Sequence, residues 1–168
     1  MREASWLVEG SPAADPCGDE PPWFDAAGWV QLSEFASWRD VAAWALPLYS
    51  APNPSSDLAQ VVARCAAERD DEARALAALR FVQDDVRYLG LEHGTGSHQP
   101  CAPDLVLERR FGDCKDKALL LVTILRALGI EAQPAFVSTA DGGHVAQRLP
   151  SPGVFDHVVV RALVAGRE

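Results

Sequence analysis

The sequence predicts an α+β protein, helices first and an antiparallel sheet after them. Three observations carry that expectation. Apolar residues recur at helical spacing as far as Leu128, they alternate at period two near the end, and glycine and proline punctuate the segments between. A chain of 168 residues fits one domain.

Residues 10–28 hold Gly10, Pro12, Pro16, Gly18, Pro21, Pro22 and Gly28, a density of breakers that no regular element tolerates, so they read as an extended strap. Ahead of it residues 4–9 read as one short strand, which is unstable alone. Residues 1–30 are therefore expected to be the remnant of a preceding domain plus a linker, with the core over 31–168.

Four helices are expected next. Ser37 with Asp40 resembles a capping box, and Trp38, Val41, Ala42 and Ala45 follow at helical spacing until Pro47. Leu58, Val61, Val62 and Cys65 mark a second helix, and Leu76, Leu79, Val82 and Val86 point inward from a third. Residues 87–103, with Gly90, Gly94 and Gly96, read as loop. The fourth helix is the clearest, with Asp113 as its N-cap, an apolar run over 118–128, and Gly129 as its stop. Strands are expected over 130–138 and 155–164, with a turn at Asp141, Gly142 and Gly143.

Charge excludes some functions. With 15 Lys+Arg against 24 Asp+Glu the net charge is −9, which argues against nucleic acid as a partner. No uncharged run reaches the ~20 apolar residues of a membrane span. The N-terminus lacks the pattern of a signal peptide, so the cytoplasm is the default expectation, or the periplasm if the chain is part of a longer exported protein. Cys17, Cys65, Cys101 and Cys114 form neither a dense disulfide framework nor a Cys-x-x-Cys motif.

The chain has 13 Arg but 2 Lys, and both lysines, Lys115 and Lys117, adjoin Cys114. A cysteine in the first turn of a helix meets free N–H groups and about half a positive charge, which lowers a thiol's pKa and favours the nucleophilic thiolate. The lysines would add to that field, and the N–H groups could receive an oxyanion. The alternative is a buried structural cysteine. Asp116 and Lys117 are expected to make first-turn charge contacts or to wall a cleft, and Arg87 has a similar choice.

A thiol nucleophile needs a base. His93, His98 and His144 fall in loop or turn sequence, whereas His157 falls inside a strand, where it is either a core residue or a positioned catalytic one. A helix-borne cysteine followed by a strand-borne histidine is the order of papain-like acyl-transfer sites.

Three stretches carry a family resemblance: FVQDDVRYLGLEHGTGSHQP, RRFGDCKDKALLLVTILRALGIEAQP and LPSPGVFDHVVV. They resemble the transglutaminase-like superfamily, nearest to its bacterial branch with a β-sandwich domain ahead of the catalytic core; WVQLSEFASWRDVAAWALPLY is similar to the join between those domains. The resemblance implies a papain-like core, helices packed on an antiparallel sheet. It also implies Cys114 as nucleophile, His157 as base, no cofactor, and a protein or peptide substrate. The reaction implied is a thioester formed from a carboxamide or peptide carbonyl and resolved by an amine or water. Gln99, Tyr88 and Asp113 are candidates for the oxyanion side of the cleft; the alternatives are a loop residue beside Pro100 for Gln99 and a core ring for Tyr88.

One departure bears on activity. The family's triad aspartate lies on the strand after the histidine strand, and this sequence reaches Glu168 where the intervening turn would begin. The chain is thus expected to be short of the C-terminal part of its core, with a Cys–His dyad and little activity by itself. Asp156 adjoins the histidine but faces the other side of a strand. Two rival readings stand beside the enzyme: a non-catalytic binding or scaffolding module on the same fold, and a zinc site built from His93, His98, Cys101 and Cys114.

Overall fold

The structure, a computed structural model, describes residues 10, 19, 21, 23–25, 29–50, 53–90 and 98–167. Cys17, His93 and the strand expected at 4–9 lie outside them. The helices are α1 (Trp38–Ala45), α2 (Ser56–Ala66), α3 (Asp71–Asp84), α4 (Pro103–Arg109) and α5 (Cys114–Ala127). The strands are β1 (Arg87–Tyr88), β2 (Phe111–Gly112), β3 (Glu131–Val137) and β4 (His157–Leu163).

Helix α5 is the axis of the fold. Its apolar run buries Leu120, Val122 and Ile124 completely, each side chain contributing ~1.5–3 kcal/mol relative to exposure. Helices α2, α3 and α4 pack on one side of it and strands β3 and β4 on the other. Gly129 ends α5 at a φ of +79°, a left-handed conformation that glycine adopts without steric cost. Strands β3 and β4 pair antiparallel from Glu131 opposite Leu163 to Val137 opposite His157. Beyond β4, Val164 and Arg167 exchange backbone hydrogen bonds at 2.8 and 2.9 Å around Ala165 and Gly166, both at positive φ, in a tight turn of the hairpin kind.

The helical expectations hold with two corrections. Leu76 and Leu79 do not point inward: they are 44% and 36% exposed. The inward face of α3 is Ala75, Ala78, Phe81 and Val82, whose small alanines let the helix approach the core and push the leucines to its flank. Helix α4 is not among the four expected helices, and the expected loop ends on its first residue. Its seven residues are too few to show a period, and it starts on Pro103 and stops at Arg110 in the left-handed region, φ 58°. The expected turn at Asp141 also continues as a 3-10 helix, Gly142–Gln147.

The described part of the strap lies across the connection between β3 and β4. Trp23 stacks on His144 at 4.4 Å, and Arg148 pairs with both Asp25 and Asp141 at 2.6 Å. Gln31 accepts from the Leu149 N–H at 2.7 Å, and the Ser33 hydroxyl donates to the Pro150 carbonyl. Among the described residues no helix is long and apolar enough to cross a membrane.

Candidate active site

The start of α5 is built by local chemistry. Asp113 caps the helix, accepting from the N–H groups of Lys115 at 3.1 Å and Asp116 at 3.2 Å. Asp116 returns the bond from the Asp113 N–H at 3.3 Å, completing a capping box. Its carboxylate does more than a first-turn contact. Asp116 is 4% exposed, and it also accepts from the Cys101 N–H at 2.7 Å and pairs with Arg109 at 3.1 Å. One buried carboxylate thus joins α4, α5 and the approach to α4. Gly112 is required beside it, because a Cβ there would lie 2.7 Å from the Asp116 Cβ.

Cys114 follows, 9% exposed, in the first turn of α5. The expectation of a lowered thiol pKa is not met. Burial pushes the Cys114 thiol up; the backbone N–H of Val158 draws it down, Asp113 pushes it up, and Lys115 draws it down again. The lysines supply less field than their positions suggested. Lys115 is buried and ion-paired with Asp113, while the Lys117 ammonium donates to the Val86 carbonyl at 2.6 Å. Burial lowers the Lys117 pKa, with Asp84 opposing, so this side chain fastens α5 to the end of α3.

A narrow cleft of about 50 Å³ opens over the sulfur. It is lined by Cys114, Lys115, Tyr49, His98, Phe136, Pro152, Phe155, Asp156, His157 and Val158. The structure therefore brings Cys114 and His157 to one cleft, the first from the start of α5 and the second from the start of β4. His157 is half-buried. Asp156 directs its carboxylate elsewhere: the Thr139 N–H at 2.8 Å and the Thr139 hydroxyl at 2.7 Å hold it, and the Thr139 N–H is the main cause of its lowered pKa. Among the described residues no carboxylate is hydrogen-bonded to the His157 ring.

The other candidates are placed differently. Gln99 is exposed and does not line the cleft, nor does Tyr88, which is 54% exposed on β1. Asp113 is the buried cap just described. Arg87 lies exposed on β1. Two further residues line the cleft, His98, which the sequence offers as a loop histidine and a zinc ligand, and Tyr49, which it does not mark. His98 sits with its ring 5.3 Å from Trp44. Tyr49 is 5% exposed, and its phenol pKa is raised strongly, first by burial and then by negative charge at Cys114, Asp113 and Asp116. Nothing in Leu-Pro-Leu-Tyr separates it from an ordinary core ring. Cys65, Cys101 and Cys114 are free thiols. Among the described residues no three His, Cys, Asp or Glu side chains gather as a metal site requires.

A thiol and an imidazole at one cleft, with backbone N–H groups near the sulfur, can in chemical terms form and break a thioester. Two solved structures are similar to the chain to different degrees. One is a Parabacteroides distasonis protein provisionally named a protease, with a TM-score of 0.67 at 15% identity over 79% of this chain. The other is a Cytophaga hutchinsonii protein provisionally named a cysteine protease, with a TM-score of 0.47 at 16% identity over 73% of this chain. This chain spans 26% and 39% of their respective lengths. The first likeness bears on the fold alone, an α+β arrangement of helices with a small antiparallel sheet. No curated protein matches the chain. The model of the transglutaminase-like superfamily matches residues 59–164, a span that runs from α2 through Cys114 and His157 to the end of β4. The chain belongs to the transglutaminase-like superfamily.

Proposed function

We propose that the chain is a cysteine-dependent acyl-transfer module acting on protein or peptide substrates. Cys114 is the nucleophile: its S–H proton passes to the His157 imidazole as the sulfur bonds to a carboxamide or peptide carbonyl carbon. The carbonyl π electrons move to oxygen, and their return expels ammonia or an amine, which takes the proton from His157. The thioester is then resolved by water, giving hydrolysis, or by a second amine, giving transfer. The observation that carries this reading is the shared cleft of Cys114 and His157 within the family match.

A second reading has its own support. The raised Cys114 pKa and the engagement of Asp156 with Thr139 fit a module that keeps the fold without the reaction. In an enzyme lacking an orienting carboxylate, the imidazole can lose orders of magnitude in rate through the wrong tautomer, so the activity expected of this chain alone is weak.

Alkylation of Cys114 across pH separates the two readings. Burial holds the thiol above the ~8.5 of a free cysteine, so reactivity near neutrality requires the imidazole. An ion pair with His157 gives a rate plateau well below that value, lost in His157→Ala. The same late, steep rise in both proteins overturns the enzyme reading and leaves the binding module.

A further inference from the structure

A second and much larger cavity adjoins the Cys114 cleft. It is a groove of about 900 Å³, at the upper end of the ~300–1,000 Å³ that ligand sites occupy. The two are neighbours, because Tyr49, Phe136 and Phe155 line both. These rings form one row: Tyr49 meets Phe136 at 5.4 Å, Phe136 meets Phe155 at 5.6 Å, and Phe155 meets Trp38 at 5.6 Å. From that row the groove runs between α1 and β3, walled by Val41, Ala42 and Pro134.

Ser50 and Gln133 add neutral polar groups to the lining, and one side chain in it is charged. Arg126, in the last turn of α5, lines the groove, and its Nε donates to the Ala132 carbonyl at 2.8 Å. That bond tethers Nε of an otherwise exposed side chain to the start of β3. Among the described residues no carboxylate pairs with Arg126, so its terminal N–H groups are left to solvent or to a ligand. A planar fork of this kind suits a carboxylate.

We infer that this groove binds the flanking residues of the acyl-donor peptide, as an extended segment with large apolar side chains next to the reacting residue and a carboxylate at Arg126. The inference rests on the acyl-transfer reading for its orientation toward Cys114. Apolar side chains cover the aromatic row, and the carboxylate answers the single cation. The spacing follows from the elements. From Phe136 at the cleft edge to Gln133 is three steps along β3, ~10 Å at ~3.3 Å per residue. From Cys114 to Arg126 is twelve steps along α5, ~18 Å at ~1.5 Å per residue. An extended peptide covers that range in about three to five residues, so the acidic group belongs three to five positions from the acyl donor.

The test is binding of fluorescein-labelled peptides to the 168-residue chain carrying Cys114→Ala, so that no acylation intervenes. The peptides have a central Gln flanked by Leu and Phe, with Glu or Lys placed three, four or five positions away on either side. In at least one register Glu is expected to bind about fivefold or more tighter than Lys, the scale of exchanging an attractive for a repulsive exposed ion pair. Adding Arg126→Glu reverses that preference, and adding Ala42→Trp, which fills the groove from an exposed position of α1, weakens both peptides with the circular dichroism spectrum unchanged. Equal affinity for Glu and Lys peptides in every register, or no binding of any peptide, overturns the inference. Binding with the expected charge preference in a chain whose Cys114 alkylates as an ordinary thiol sustains the groove and rejects the acyl-transfer reading. A reactive Cys114 without that preference does the reverse.

Discussion

Both carboxylate oxygens of Asp156 accept from Thr139, Oδ1 from its backbone N–H at 2.8 Å and Oδ2 from its hydroxyl at 2.7 Å. The bond pins the first turn after β3 to the residue just before His157. It fixes the entry of β4 rather than the histidine's ring.

That arrangement makes Asp156 an acid-range stability element. Its carboxyl pKa is lowered in the folded state, so the charged form stabilises the fold. The contribution is complete above the ordinary aspartate value of ~3.9 and is lost as pH falls through the lower folded value. Asp156→Asn should flatten the fall of the urea midpoint below about pH 4. It should leave the pH profile of Cys114 alkylation unchanged; a shifted profile would mean that Asp156 orients His157 after all.

Asp116 should matter more than its place in a first helical turn suggests. Asp116→Ala removes the acceptor of the Cys101 N–H, the partner of Arg109 and one half of the capping box. The expected cost is about 2–4 kcal/mol by urea unfolding, because buried groups lose their partners together. Asp116→Asn keeps the shape and an acceptor oxygen, and should cost clearly less. Equal losses would show that charge, rather than hydrogen bonding, sets the contribution.

At Gly112 the prediction is steric. A methyl group would come within 2.7 Å of the Asp116 Cβ and 3.3 Å of a Val106 methyl, so the turn must shift to admit it. Gly112→Ala should destabilise by about 1–3 kcal/mol, as overpacked sites do. It should also change the rate of Cys114 alkylation, since the shift falls two residues before the sulfur. Unchanged stability would mean that the turn yields freely.

Local signals explain what the sequence disclosed. Asp113 and Gly129 bracket α5 by chemistry that acts within one turn, capping at one end and positive φ at the other. Cys114 and His157 could be picked out because each sits at the edge of a legible element. Tertiary effects explain the rest. The ionisation of Cys114 depends first on its burial and then on the Val158 N–H that reaches it from β4, and the rotation of α3 depends on how closely its alanines approach α5. Tyr49 and His98 reach the cleft from the 3-10 turn after α1 and the approach to α4, and spacing along the chain says nothing about that convergence.

Tyr49 gives the last prediction, in alkali. Its phenol is buried, and the negative charge nearby raises its pKa further, so the folded protein holds this proton where the unfolded chain, ionising near ~10, releases it. Above that value the unfolded state binds fewer protons than the folded state, and stability falls as pH rises. Tyr49→Phe removes the group, so the urea midpoint of the variant should fall less steeply than that of the parent once the pH passes ~10. While both proteins stay folded, their tyrosinate absorbance should rise together with pH, because Tyr49 contributes none in the native state. An excess in the parent below about pH 11 would mean that the phenol ionises in place, with water reaching the Tyr49 side of the cleft.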